Sequence, residues 1–154
     1  MKKSCQYFIV IFSLVFADYA FANTFTIEVI GKQVREENIN FNSGRKFVSF
    51  KHEGGFKSSL SKYGSYFCSG TILFNEKNLL STMNLVCEFS DQENNRFWTV
   101  GKRQLGSEED RAVGKFNIIE GEGFWKKYVN SECTYGLEYV NKILFSAQNC
   151  KIID

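Results

Sequence analysis

The chain has 154 residues, 19 basic and 17 acidic side chains, a single histidine and no proline. A net charge of +2 gives no long-range attraction for nucleic acid or an anionic membrane surface. One histidine and no Cys-x-x-Cys spacing argue against a zinc site built from Cys and His.

Met1-Lys2-Lys3, the apolar run Tyr7 to Ala17 and the small-x-small end Ala20-Phe21-Ala22 follow the pattern of a secretory signal peptide cleaved after Ala22. The run is shorter than the roughly 20 apolar residues of a spanning helix. Cys5 leaves with this segment, so the reading predicts a soluble, periplasmic or secreted domain over residues 23–154. Removing Lys2, Lys3 and Asp18 leaves 17 basic and 16 acidic groups. A monomer is expected, with no nucleic-acid partner and no membrane association after cleavage. Four cysteines remain, Cys68, Cys87, Cys133 and Cys150, and an even count in an exported chain favours disulfides.

Phe25 to Gly31 alternates apolar with polar and predicts a first strand. Lys32 to Asn42 is charged and poorly patterned, with a short strand at Ile39 to Phe41. Lys46 to His52 predicts a second strand, ended by Glu53-Gly54-Gly55. Phe56 to Ser65 reads as an ordered loop with Leu60 and Tyr63 tucked inward. Tyr66 to Phe74 and Leu79 to Phe89 then form a hairpin centred on Lys77-Asn78, with Cys68 opposite Cys87 and a core face of Leu79, Ser81, Met83, Leu85, Cys87 and Phe89.

Ser90 to Asn95 is a polar turn, and Arg96 to Arg103 the next strand. Leu105 to Arg111 is an acidic loop, Ala112 to Ile119 resumes the β pattern, and Phe124 to Val129 suits a helical turn. Cys133 to Cys150 is a hairpin about Asn141-Lys142. Counting outward from that turn sets Cys133 opposite Cys150 on a non-hydrogen-bonded pair, where Cα atoms lie about 4.5 Å apart. Pairings 68–87 and 133–150 follow from the hairpins, although four cysteines permit two crossed connectivities that sequence alone does not exclude.

Seven clear strands and one doubtful, with no long amphipathic helix between them, predict an all-β domain, a small antiparallel closed barrel of about eight strands with a β-sandwich as the alternative. Gly70, Gly101, Gly114 and Gly136 sit inside strands, where a tightly coiled barrel needs bends and close approach.

Ile118 to Tyr128, with Gly121-Glu122-Gly123-Phe124, and the hairpin after it resemble the Gly-x-Gly-x-aromatic turn and following strand pair of allene oxide cyclase and dirigent-type barrels. The resemblance covers the last quarter of the chain. It implies an eight-stranded calycin-like barrel whose mouth handles a hydrophobic small molecule. Glu120-Gly121 stands where that pattern usually has two glycines, the cysteine hairpins are not part of it, and no catalytic residue carries over. In general layout the chain is also similar to exported bacterial proteins with aromatic-rich, disulfide-bearing barrels.

No catalytic or cofactor motif stands above background, and Gly-x-Ser-x-Gly is absent. Glu88, Asp91, Glu93 and Glu138 are the candidate carboxylates for acid–base chemistry, but alternation puts them on the solvated face. His52 could act as a base, yet it reads as a surface or rim residue. Trp98, Trp125, Tyr128, Tyr135 and Tyr139 are the candidate ligand-binding group, against which stands simple core filling.

Three functions compete: non-enzymatic binding of a small apolar ligand or protein partner, a cyclase or isomerase, and an inhibitor of a cell-wall hydrolase. The last rests on a faint resemblance of Phe97 to Lys102 to the aromatic-Trp-Thr-x-Gly strand of small lysozyme-inhibitor barrels, whose Ser-Gly-x-x-Tyr signature is missing. Ligand binding predicts an enclosed apolar cavity of about 300 Å³ or more. Catalysis predicts a buried group of shifted pKa inside it. Inhibition predicts a filled barrel and a protruding loop, at Gly106 to Arg111 or Phe56 to Ser65.

Overall fold

The computed structural model describes residues 23–108 and 110–153, so the signal-peptide reading, Cys5 included, lies outside the described residues. Eight strands follow one another: β1 (Thr24–Asn40), β2 (Lys46–Ser58), β3 (Tyr63–Phe74), β4 (Leu80–Asp91), β5 (Arg96–Arg103), β6 (Arg111–Gly121), β7 (Glu132–Val140) and β8 (Ile143–Lys151). A 3-10 segment, Gly123–Tyr128, lies between β6 and β7. Each strand pairs antiparallel with its sequence neighbours, and β8 pairs back onto β1. The fold is therefore the closed barrel and not the sandwich.

Alternation drives this closure. In β1 the buried Phe25, Ile27 and Val29 are separated by exposed Thr26 and Glu28, and every other strand repeats the period of two. Both disulfides sit on the inner face. Cys68 pairs with Cys87 and Cys133 with Cys150, at Cα separations of 4.0 and 3.9 Å. The Asn141-Lys142 turn has positive φ at both residues, 51° and 67°, as a two-residue hairpin requires.

Several expectations are corrected. Within Lys32 to Asn42 the short strand expected at Ile39 to Phe41 is instead the end of β1, which runs unbroken to Asn40 with a β-bulge between Gln33 and Arg35. Gly54-Gly55 does not end the second strand, which continues to Ser58, and β3 begins at Tyr63. Here the glycine admits a close strand crossing, because a Cβ on Gly54 would lie 2.1 Å from the Ile30 carbonyl oxygen and 2.9 Å from the Tyr66 ring. Tyr63 is exposed and only Leu60 is partly buried against the core.

On β4 the inward residues are Met83, Leu85, Cys87 and Phe89, as expected, but Leu80 replaces Leu79. The pairs Leu73 with Thr82 and Phe74 with Leu80 leave Ser81 unpaired, and this bulge flips the phase. Among the interior glycines, Gly114 admits the Tyr135 ring, 2.4 Å from where a Cβ would stand, whereas Gly136 faces open space.

The two barrel ends differ. At one end the 3-10 segment folds across the opening, and Trp125 is fully buried, with ring centroids 4.2 Å from Phe97, 6.3 Å from Phe56 and 5.8 Å from Tyr128. Phe25 closes on Tyr128 at 5.0 Å, and Phe89 stacks on Phe97 at 4.5 Å. The turns joining β1 to β2, β3 to β4 and β7 to β8, together with the β5–β6 loop, gather at the other end.

Candidate functional site

That other end is open, and its shape follows from unequal strand lengths. β1 stops pairing with β8 at Lys32 but continues to pair with β2 as far as Asn40. Pairing between β4 and β5 ends at Leu85 opposite Gly101. Strands β1 to β4 thus rise above β5 to β8 as a wall. Val48, Phe50, Ile72, Phe74, Leu80 and Met83 form an apolar cluster on it.

The bulge in β1 equips the wall with polar groups. Gln33 lies opposite His52 and Glu36 opposite Phe50, and directly opposed residues share a face. Because His52 and Phe50 both point inward, the extra residue brings Gln33 and Glu36 to the same inner side. Without the bulge, a period of two would have turned one of them outward.

A cleft of about 590 Å³ results, with Val48, Phe50, Ile72 and Phe74 on its apolar side and Gln33, Glu36, His52, Arg103, Asp110, Tyr139 and Lys142 among its polar lining. At its floor the Tyr139 hydroxyl is 3.0 Å from His52 Nε2. The Gln33 side-chain oxygen stands 3.4 Å from the same nitrogen, and the Gln33 amide donates to Glu36. Asn38 Nδ2 donates to the other Glu36 oxygen at 2.7 Å. These contacts link Glu36, Gln33, His52 and Tyr139 in a relay that meets at one His52 nitrogen, which either donates to Gln33 or accepts from Tyr139.

Burial sets the proton affinities of this relay. It pushes the His52 imidazole down to about 4, helped by the positive Arg103 and opposed by Glu36. Burial also lifts the Tyr139 hydroxyl to about 12, with Arg103 opposing. Hydrogen bonding from Asn38 holds Glu36 below the usual carboxylate range, against partial desolvation. At neutral pH the floor therefore carries a neutral imidazole, a neutral phenol and the Arg103 guanidinium.

His52 consequently makes acid stability a test of the site. Its folded-state affinity lies below the ordinary value of 6.5, so its stabilising contribution is complete above that value and is lost as pH falls towards 4. Between pH 7 and 4.5 this loss is about 2 kcal/mol. Urea unfolding at both pH values should show the loss in the parent protein and a correspondingly smaller one in His52→Gln. Equal acid losses in the two would count against burial of the imidazole.

Beneath the cleft lies a chamber of about 60 Å³ inside the barrel. It holds a few waters but not the body of a ligand, for which sites of about 300 Å³ or more are usual. The enclosed apolar cavity expected of a ligand carrier is replaced by a filled interior and an open cleft, consistent with the narrow lumen of eight strands.

The five aromatic residues proposed from sequence do not form one group. Trp98 lies half-buried on the outer surface, donating from Nε1 to Glu88 at 2.8 Å with the Arg96 guanidinium over its ring. Trp125 and Tyr128 belong to the sealed end. Tyr135 and Tyr139 line the interior below the cleft.

His52 is corrected from a surface or rim residue to a buried one, only 6% exposed. It stands in phase with Val48 and Phe50 on a strand that does not end where the glycines suggested. Asp91 is likewise corrected from the solvated face. It is buried, accepting from Trp125 Nε1 at 3.0 Å and from the Glu93 and Asn95 backbone N–H groups at 2.9 Å. Glu138 does lie outside, paired with Arg111 at 2.6 Å, and Glu93 pairs with Lys62. Asp91 and Glu93 meet at the Lys62 ammonium, 3.9 and 2.7 Å away, whereas Glu88 and Glu138 are engaged elsewhere, by Trp98 and Arg111.

Gln33, Glu36 and Arg103 were missed as site residues. Arg103 alone carried a usable signal, since it continues the inward series Phe97, Thr99 and Gly101. No protein-family model, curated protein or solved structure matches the chain. The site's chemistry therefore rests on its own geometry.

Proposed function

We propose that the protein is an exported, non-enzymatic binding barrel that takes a small, largely apolar ligand through its open end. The observation that carries this reading is the cleft of about 590 Å³, in which an apolar wall faces a polar floor while the opposite end is plugged. Such a mixture of apolar lining and a few convergent polar groups is characteristic of small-molecule sites. Export is supported by the two disulfides, which persist in oxidising compartments, and by the signal-like pattern of Met1 to Ala22.

The proton affinities favour binding over catalysis. An effective general acid or base is poised near the working pH, whereas His52 at about 4 and Tyr139 at about 12 both lie far from it. A cyclase or isomerase of the kind the barrel resemblance implies would need a better-poised group. A hydrolase inhibitor would engage a protein instead of a small molecule.

Native mass spectrometry of protein isolated from its own producing cells separates these readings. The expected result is a small-molecule adduct on the parent that is absent from Glu36→Trp, in which an indole fills the mouth from an exposed position. A co-purifying protein in place of the adduct, or an adduct retained equally by the variant, would overturn open-end binding.

A further inference from the structure

β1 carries an edge that closure of the barrel does not use. Phe41 N–H donates to the Arg45 carbonyl at 2.9 Å, so by alternation Ile39, Glu37 and Arg35 turn their backbone groups towards β2. Glu36, Asn38 and Asn40 turn theirs the other way, to the side where β8 has ended at the pair of Ile143 with Lys32. Among the described residues no strand pairs with them there. Every residue from Val34 to Asn40 is exposed, Ile39 by 58%, and Phe41 beyond them by 45%. A row of free N–H and C=O groups is a template for another strand, and Asn38, Ile39 and Asn40 include no charge or proline to block one.

The lopsided mouth fits a second copy of the same shape. The wall of β1 to β4 stands over one half of the rim, and β5 to β8 leave the other half low. A strand laid antiparallel on the β1 edge brings its own barrel in from the opposite direction, mouth to mouth. When that strand is the β1 of a partner, the partner's wall descends over the low half of the rim, and the partner's low half receives the wall of the first copy. Directly opposed residues share a face, so both apolar walls line one space.

Charge selects how the two edges meet. Edge-facing residues oppose edge-facing residues in an antiparallel pair, so the two-fold axis passes beside a single residue of β1. Beside Glu36 or Glu37 it would set a carboxylate against its own copy, and like charges directly opposed are destabilising. Beside Asn38 it sets Glu36 against the partner's Asn40 and Glu37 against the partner's Ile39, with Asn38 against itself. Beside Ile39 the overlap shortens. In the Asn38 register the partner's Asn42 comes opposite Val34, just above the Asn141-Lys142 turn, so the overlap uses the full height of the wall.

We propose that two copies of this chain join by antiparallel pairing of their β1 edges about Asn38, each wall completing the cleft of the other, in place of the monomer expected from sequence. The pairing goes beyond ligand binding through the open end and does not depend on it. Sedimentation velocity of the disulfide-intact protein over a concentration series should show a monomer–dimer equilibrium. Asn38→Pro deletes an edge-facing N–H while leaving the β2 pairing intact, and should raise the dissociation constant about tenfold or more. Asn38→Glu, which opposes two carboxylates without altering the backbone, should act likewise.

Asn38→Cys reads the register directly. Opposed Cα atoms of a hydrogen-bonded pair lie about 5.5 Å apart, within reach of a disulfide. This variant should therefore form a covalent dimer under a mild oxidant, whereas Asn40→Cys, whose counterpart lies further along the partner strand, should not. A single monomeric species at every concentration would overturn the proposal. So would a dimer that survives Asn38→Pro and Asn38→Glu, or one that cross-links as readily through Asn40→Cys. Open-end binding is judged separately, by whether Glu36→Trp loses the natural adduct.

Discussion

Replacing Trp125 by alanine is expected to destabilise the protein by about 3–5 kcal/mol, the range seen when a large aromatic side chain is removed from a packed interior. This indole is fully buried and touches most of the rings that seal the barrel, with Phe97 and Phe124 at centroid distances of 4.2 and 5.3 Å. It also donates to the buried Asp91 at 3.0 Å. Two losses therefore combine, a large void and a carboxylate oxygen deprived of a donor. In a domain of this size the melting temperature should fall by roughly 10–20 °C.

Trp125→Phe separates the two losses, because it keeps most of the ring volume and should cost about 1–3 kcal/mol. Thermal unfolding of the three proteins, followed by circular dichroism, is the measurement. A cost below about 1 kcal/mol for the alanine variant would show that the 3-10 segment is a loose cover.

Loss of both disulfides should be larger still. The bridges span sequence separations of 19 and 17 residues, and closing loops of that length removes unfolded-state entropy worth about 3 kcal/mol each. They belong to different hairpins, β3–β4 and β7–β8, so their effects should be close to additive. About 6 kcal/mol is comparable with the whole stability of many domains.

Replacing Cys68 and Cys87 by alanine should lower the melting temperature by roughly 10 °C, and so should replacing Cys133 and Cys150. The fourfold variant should be largely unfolded at 37 °C. All four half-cystines are buried, which makes substitution a cleaner probe than a reducing agent. Denaturant titration of the four proteins checks the expectation. A fourfold variant within about 1 kcal/mol of the parent would mean that packing alone holds the barrel.

The same pair of bridges shows why much of the architecture was legible. Counting by twos from a two-residue turn preserves parity, so an error of one residue would have separated the sulfurs, and the register found for Cys133 and Cys150 has no slip. Where a bulge intervenes, parity fails. The irregularity near Ser81 exchanged Leu79 for Leu80, and the one after Gln33 hid half of β1. Neither leaves a mark in composition, because the residues around Val34 are mostly polar on both faces.

The candidate site was less legible for a related reason. A buried polar floor contradicts the rule that polar residues alternate outward, so His52 read as a surface or rim residue. Trp98 and Trp125 looked equivalent in sequence, yet one follows the outward phase of β5 and the other sits in the turn that seals the barrel. Only the pairing of β1 beyond the end of β8 reveals that a wall stands above that floor.

The plug lies beside Asn23 and Ile152, for Ile152 N–H donates to the Asn23 carbonyl at 2.8 Å beside the first pair of β1 and β8. A linker attached at Asn23 or Ile153 consequently starts from the sealed pole. Tethering through either direction, on a sensor chip or in a fusion, leaves the mouth turned away from the support and accessible to whatever is offered in solution.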